Sequence, residues 1–184
     1  MDQRANTYTL LDSGNCLKLE QVGPYRLIRS APQANWPPAL PDREWESADA
    51  TLECVREGKV EWTIRNNTLP EEWNIDVPPG VMNVKRSDFG HLGIFPEQMR
   101  YWELLEKSSK KCMAKYGECN VLNLFAYTGG STLACAKGGA SVTHLDASKP
   151  SVTWARKNAD ASGLEDAPIR WIVDDVQKFV SREV

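Results

Sequence analysis

The chain has 184 residues, which fits one domain of ordinary size or one domain with a small appendage. Hydrophobic residues make up 41% and charged residues 26%, which excludes a disordered or collagen-like protein. The net charge is -3, so the chain lacks the overall basicity of a dedicated nucleic-acid binder. It has neither an apolar run long enough for a membrane span nor the apolar core of a signal peptide. We therefore expect a cytoplasmic protein with no membrane partner.

The residues that could hold a metal are scattered along the chain, and those that could hold a polyanion form only local patches. The five cysteines follow no CxxC spacing, and the two histidines, His91 and His144, lie far apart. We therefore expect reduced, partly buried thiols and no metal site. Any nucleic-acid partner would have to be held by local patches of charge, such as the lysines at 107, 110, 111 and 115.

Residues 1–85 read as a small β-rich N-terminal extension. Apolar and polar residues alternate in part along four segments, which predicts half-buried strands at 17–23, 25–30, 50–55 and 60–66. A proline-rich loop fills 31–45, and further turns are expected at 69–73 and 76–80. No chemistry-bearing cluster is visible in this region.

Residues 86–184 change to a pattern in which helices and short apolar strands alternate. Pro96 opens a predicted helix over 95–117, with lysines in its last turns. Strands are predicted at 120–126, 140–146 and 168–175, and helices at 131–139, 148–162 and from 176 onward. A βαβαβα order requires a parallel sheet with right-handed crossovers, so the fold class is α/β and Rossmann-like.

Polar and glycine residues follow all three predicted strands. Because ligands of open parallel sheets bind outside the carboxyl ends of the strands, we expect these residues to form a site. Glycines in the first turn would let a ligand approach the backbone closely. An aspartate that ends the second strand, 17 residues after Gly129, suits ribose hydroxyls. The set is Tyr127, Thr128, Gly129 and Gly130 after the first strand, Asp146 after the second, and Asp174 and Asp175 after the third.

The spacing of the glycines separates two ribonucleoside ligands. A dinucleotide site would carry a GxGxxG fingerprint, which fails here, because the glycines after Gly130 come only at 138 and 139. S-adenosylmethionine (SAM) needs a glycine turn and a ribose-binding acid but has no phosphate, so it fits better. An NAD-dependent oxidoreductase is the weaker alternative.

The segment NVLNLFAYTGGSTLACAKGGASVTHLDASKPSVTWARKNADASGLEDAPIRWIVDDVQKFV resembles the cofactor half of class I SAM-dependent methyltransferases. The closest likeness is to the bacterial group that includes the large-subunit ribosomal RNA methyltransferases acting on cytosine C5 or guanine N2. Upstream, LLDSGNCLKLEQVGPYRLIRSAPQANW and FGHLGIFPEQMRYW share this likeness, which extends from about residue 8 onward. The resemblance implies SAM as cofactor and RNA as substrate.

The resemblance also implies roles for individual residues. The turn Tyr127–Gly130 would lie under the methionine and ribose parts of SAM, and Asp146 would bind the ribose hydroxyls. Asp174 and Asp175 would flank the adenine, and Phe95 and Gln98 would belong to a segment that covers the cofactor. From the sequence we expect Asn158 to be a solvated helix residue, and Trp154 and Trp171 to pack between sheet and helix.

One departure from the family pattern concerns catalysis. Related enzymes carry an Asp/Asn-Pro-Pro-like motif after a fourth strand, whereas both Pro-Pro pairs of this chain lie in its N-terminal region. The resemblance therefore identifies no catalytic residue and implies a domain incomplete at its C-terminus, and Cys135 in its Ala-rich helix is a poor nucleophile candidate. A non-catalytic SAM-binding or interaction module remains an alternative. The first strand would form an exposed sheet edge, which a second copy or another partner could cover.

Overall fold

The structure is a computed structural model that describes residues 6–56, 59–87 and 90–183. The chain forms two compact units. The first contains the residues up to Asp76 together with Val84–Gly93, and the second contains Val77–Asn83 together with the residues from Ile94 onward. Parallel strands alternate with helices in the second unit, which confirms the predicted α/β class.

The first unit is built on a five-stranded sheet in the order of the chain. Its strands pair antiparallel except for the parallel pair β3–β4. Strands β2 to β5 were predicted; β1, whose pairing with β2 is interrupted by an irregularity between Leu10 and Asp12, was not. The strands are β1 (Tyr8–Gly14), β2 (Leu17–Val22), β3 (Tyr25–Ser30), β4 (Ala50–Arg56) and β5 (Lys59–Ile64).

A single carboxylate organises the proline-rich loop of this unit. Asp12 accepts hydrogen bonds from the backbone N–H groups of Ser13, Ala39 and Leu40 and from the indole of Trp45. Burial raises the pKa of Asp12, but these bonds together hold it below its usual value. Trp45 belongs to the short helix α1 (Asp42–Glu46), which the sequence pattern did not predict.

Two further strands lie in the region where the sequence predicts only turns. These are β6 (Glu72–Val77) and β7 (Gly80–Lys85), which pair with each other around Pro78–Pro79. The prolines account for the turn prediction, because they cannot donate to a strand ladder. This Pro-Pro pair therefore lies between β6 and β7 and does not follow a strand of the parallel sheet.

The second unit has the helix and strand order that the sequence predicts. A 3-10 turn over Pro96–Gln98 leads into the first long helix, which ends at Gly117 in the left-handed conformation. None of the helices in the described part of the chain is long and apolar enough to cross a membrane. The elements are α2 (Met99–Tyr116), β8 (Asn120–Leu124), α3 (Gly130–Lys137), β9 (Ser141–Asp146), α4 (Lys149–Ala161), β10 (Ile169–Val173) and α5 (Val176–Glu183).

Apolar residues on one face of the sheet pack against α3. The parallel sheet has the order β10-β9-β8, and Val121, Val142 and Ile169 are register partners across it. Together with Cys135 and Ala136 of α3 they form one hydrophobic cluster. This packing fixes α3 against the sheet, directly after the turn that follows β8, where the site is expected.

A buried histidine lies two positions further along the same face of the sheet. His144 is fully buried, its Nδ1 lies 2.9 Å from the hydroxyl of Thr132, and Thr132 accepts a bond of 2.8 Å from the Asn123 amide. The Trp171 ring lies 4.7 Å from the imidazole, and the Arg156 guanidinium lies over that indole. Burial lowers the pKa of His144 to about 4, so the ring is neutral at physiological pH.

The neutral His144 makes stability depend on pH. Between pH 6.5 and 4 the unfolded chain binds a proton there that the folded chain does not, so stability falls as the pH falls through that window. We expect His144→Gln to remove a loss of about 2 kcal/mol between roughly pH 7 and 5, measured by urea denaturation. Parallel stability curves for wild type and His144→Gln would contradict this account.

Candidate functional site

The turn after β8 has an unusual backbone. Phe125 (φ 55), Tyr127 (φ 51) and Gly129 (φ 92) all adopt positive φ values. Such conformations cost free energy for residues with a side chain and persist only where the surroundings impose them. Here the N–H of Ala126 donates to the carbonyl of Leu145 at 3.1 Å, which joins the turn to β9.

The carboxylate of Asp146 fixes the same turn from the end of β9. One oxygen accepts from the N–H of Tyr127 at 2.9 Å, and the other accepts from the N–H of Ser148 at 2.8 Å. Each carboxylate oxygen has two lone pairs, so both keep capacity for a further donor. Asp146 thus orients the turn and keeps free acceptor positions for the two hydroxyls of a ligand diol.

Packing within the protein explains why Gly129 and Gly130 are glycines, whereas the sequence analysis explained them by the close approach of a ligand. A Cβ at Gly129 would lie 3.1 Å from the Cβ of Ala155 and 3.2 Å from Leu133, and its φ of +92° disfavours any side chain. A Cβ at Gly130 would lie only 2.3 Å from the Trp102 ring. The protein's own packing therefore requires glycine at both positions, independently of any ligand.

A cavity of about 240 Å³ opens at the carboxyl end of β8. It brings together five of the predicted site residues: Phe95, Gln98, Tyr127, Thr128 and Gly130. The rings of Phe95 and Tyr127 lie 5.2 Å apart. Gly129, Asp146, Asp174 and Asp175 are not part of its wall. The remaining lining residues are Trp102, Asn123, Leu124, Phe125, Ala126 and Ser131.

The two aspartates after β10 have partners within their own segment. Asp174 forms an ion pair with Arg182, and the hydrogen bond from this guanidinium lowers the pKa of Asp174. Asp175 accepts from the N–H of Lys178 at 3.0 Å, as an N-terminal cap of α5 does. The N–H of Asp174 also donates to the carbonyl of Asp146, so the ends of β9 and β10 are adjacent. Their role beside an adenine stays a prediction.

Asn158 is buried, and the expectation of a solvated helix residue was wrong. Its amide donates to the carbonyl of Thr128 at 2.8 Å, and its oxygen accepts from the N–H of Asn83 at 2.8 Å. Trp154, one turn earlier on α4, is partly buried and donates to the carbonyl of Asn83. The hydrophobic periodicity of the helix could not predict this burial. An asparagine looks the same in a sequence whether its side chain is solvated or bonded to buried backbone groups.

Trp102 lines the cavity but is not among the predicted site residues. It is 3% exposed, and its indole N–H finds no acceptor among the described residues. The available signal was its position one turn after Gln98, on the helix that leads out of the predicted covering segment.

Cys135 offers no activated thiol. Burial raises the pKa of Cys135, which is 2% exposed, so little thiolate forms at neutral pH. Across the described ranges, no group of three His, Cys, Asp or Glu side chains could hold a metal ion.

Comparison with known proteins places these features in context. No family model matches the chain. "Ribosomal RNA large subunit methyltransferase K/L" from Shewanella frigidimarina is 44% identical over 62 residues, which is 33% of this chain and 9% of that protein. "Ribosomal RNA large subunit methyltransferase I" from Photobacterium profundum is 39% identical over 77 residues, which is 41% of this chain and 19% of that protein. The chain therefore matches only a small part of each curated relative.

A solved structure covers far more of the chain. A SAM-dependent methyltransferase from Agrobacterium tumefaciens superposes with a TM-score of 0.90 at 42% identity, over 99% of this chain and 56% of that one. A putative SAM-dependent methyltransferase from Streptococcus mutans gives 0.74 at 21% identity, over 96% of this chain and 48% of that one, which bears on the fold alone. These findings confirm the resemblance to class I SAM-dependent methyltransferases related to ribosomal RNA methyltransferases.

Asn158 should carry much of the stability of the site. Asn158→Ala removes two buried hydrogen bonds, one to the carbonyl of Thr128 and one from the N–H of Asn83, at about 1–3 kcal/mol for each. We expect urea denaturation to show a loss of about 2–4 kcal/mol. Asn120→Ala, at an exposed asparagine of the same unit, is the matched control. Equal stabilities of the two variants would show that Asn158 does not hold the turn.

Proposed function

We propose that the chain is the SAM-binding part of a methyltransferase that acts on RNA, with a ribosomal RNA base as the target. The observation that carries the proposal is Asp146, whose carboxylate is oriented by two backbone amides, one of them that of Tyr127 in the cavity wall. Residues 86–184 would provide this cofactor domain, and residues 1–85 would form its N-terminal extension.

The residues at the site fit the chemical groups of SAM. The free lone pairs of the Asp146 carboxylate suit the vicinal hydroxyls of a ribose. Among the described residues that line the cavity, none is a lysine or arginine, so the wall offers no cation for a pyrophosphate. This composition supports SAM over NAD. Phe95, Gln98, Tyr127, Thr128 and Gly130 would surround the remainder of the ligand.

SAM, when bound, supplies an electrophilic methyl group on a sulfonium centre. The contribution of this chain is to bind and orient: Asp146 anchors the ribose, while the rings of Phe95 and Tyr127 cover the site against water. The buried Cys135 thiol is not suited to act as a nucleophile.

RNA as the substrate is supported by the names of the ribosomal RNA methyltransferases that the chain resembles. The lysines predicted as a basic patch, Lys107, Lys110, Lys111 and Lys115, lie exposed on α2, and Lys110 also pairs with Glu106 at 2.5 Å. The resemblance to these ribosomal RNA methyltransferases also supports our proposal of a cytoplasmic location.

Asp146→Ala tests the ribose assignment. Loss of the charge-assisted bonds should weaken SAM binding by about 1.5–3 kcal/mol, or roughly 10- to 150-fold, in calorimetric titration. Asp166→Asn, at an exposed aspartate of the same unit, should bind as the wild type does. Unchanged affinity of a folded Asp146→Ala protein would overturn the assignment, and tighter binding of NAD than of SAM by the wild type would favour the oxidoreductase alternative.

A transfer assay tests the enzyme proposal against a non-catalytic binding module. The chain is mixed with methyl-labelled SAM and protein-free large-subunit ribosomal RNA, at protein concentrations near that of the RNA so that slow transfer is visible. The proposal predicts label that survives protease and is released by ribonuclease. SAM binding without labelled RNA would favour the module.

We also propose that a second copy of the chain covers the edge of the parallel sheet. Within the described residues β8 pairs only with β9, and Leu122 on this edge strand is 49% exposed. Unpaired edges template strand addition. Light scattering over a concentration series should show a dimer, and Leu122→Lys should shift it toward monomer. A wild-type monomer at all concentrations would contradict the proposal.

A further inference from the structure

The outer side of α2 carries a row of three lysines. Lys107, Lys111 and Lys115 follow one another at intervals of four residues, and all three are exposed. This spacing places them on one side of the helix, about 6 Å apart along its axis. Trp102, which lines the cavity of the β8 turn, precedes Lys111 by about two and a half turns. The lysine row therefore lies on the side of α2 opposite to the cavity.

The second half of α2 has no acidic residue that could balance the lysine row. Residues 107–116 contain four lysines and neither aspartate nor glutamate. The fourth lysine, Lys110, pairs with Glu106, and the ammonium of Lys137 lies 3.8 Å from the same carboxylate. Glu118 follows beyond the end of the helix. The three lysines of the row form no ion pair with any residue that the structure describes, so their charge faces solvent.

The stability of the helix does not explain the lysine row. A lysine interacts favourably with the helix dipole only near the C-terminal end, and the last turn of α2 contains Lys115 alone. Like charges four residues apart repel each other and destabilise a helix, and the row contains two such pairs. A polyanion bound along this side of α2 would replace the repulsion by attraction.

An exposed aromatic ring lies at the end of the lysine row. Tyr116 is 64% exposed, and the ammonium of Lys115 lies over its ring, 4.6 Å from the centroid. Proteins that bind single-stranded nucleic acids combine positive charge along the path of the backbone with aromatic rings on which unpaired bases stack. The row and Tyr116 supply both parts, whereas an acidic protein partner would use the charge alone.

We infer that the lysine row of α2 and Tyr116 bind a single-stranded segment of RNA, with phosphates on the lysines and a base on the Tyr116 ring. The inference rests on the proposed action on RNA and adds the surface that holds the substrate outside the cavity. Contacts to phosphates position a nucleic acid but carry no sequence information. This surface therefore contributes affinity and leaves the choice of the target base to other residues.

Neutralising the row tests this inference. The triple variant Lys107→Gln, Lys111→Gln, Lys115→Gln is titrated against a fluorescein-labelled single-stranded RNA oligonucleotide of mixed sequence, by fluorescence anisotropy at several salt concentrations. Each lost phosphate contact removes about 0.7 from the slope of log affinity against log salt, so the slope should fall by about 2. At about 0.1 M salt the affinity should fall roughly 100-fold. The affinity for SAM and the urea midpoint should not fall, because the row lies away from the cavity and its like charges repel.

A second triple variant, Lys149→Gln, Lys157→Gln, Lys178→Gln, is the matched control. It removes the same charge from exposed positions of the same unit. Its affinity for the RNA should stay within about threefold of the wild type. Equal weakening by both triple variants would show that net charge rather than the row binds the RNA, and would overturn the inference. Unchanged RNA affinity of the row variant would also overturn it.

The base contact has its own test. Tyr116→Leu should weaken binding of the single strand by about 5- to 150-fold, because a stacked base is lost. Tyr101→Leu, at a tyrosine that is 67% exposed in the first turn of α2, should bind as the wild type does. Tighter binding by the wild type of the duplex of the same sequence, or of an acidic peptide of equal charge, would overturn the assignment to single-stranded RNA. RNA binding through the row without methyl transfer would refute the enzyme proposal and leave this inference standing.

Discussion

The site depends on the two hydrogen bonds that the Asp146 carboxylate accepts from the backbone of Tyr127 and Ser148. They connect the turn after β8 to the beginning of α4 and hold Tyr127 at a positive φ. Without an acceptor at this position, the left-handed tyrosine would lose a hydrogen bond that offsets its conformational cost. A single side chain thus serves the fold and offers its remaining lone pairs to a ligand.

Close packing on the other side of the turn restricts the same backbone. Asn158 holds the carbonyl of Thr128, Ala155 crowds any side chain at Gly129, and Trp102 leaves no room for one at Gly130. Because these contacts come from α2 and α4, the turn is fixed from both of its neighbouring helices. A preorganised turn loses little conformational freedom when a ligand binds.

The sequence predicted those features that follow from local pattern. Parallel strands covered by helices read as short apolar runs, so β8, β9 and β10 and their helices were predictable, as was the convergence of Tyr127–Gly130 with Asp146. Features that depend on distant partners were not predictable: β1, the β6–β7 pair, the burial of Asn158 and the orphaned indole of Trp102. The glycines were predicted at the right place for a ligand-based reason, whereas packing against Trp102 and Ala155 already requires them.

The central claim is that the turn after β8 and Asp146 form a SAM site. A crystal structure of the chain with S-adenosylhomocysteine tests it most directly. We predict density for the ligand in the cavity of the β8 turn, with both ribose hydroxyls within hydrogen-bond distance of the Asp146 carboxylate. Density for the ribose at any other carboxylate, or a ligand bound away from this turn, would contradict the account.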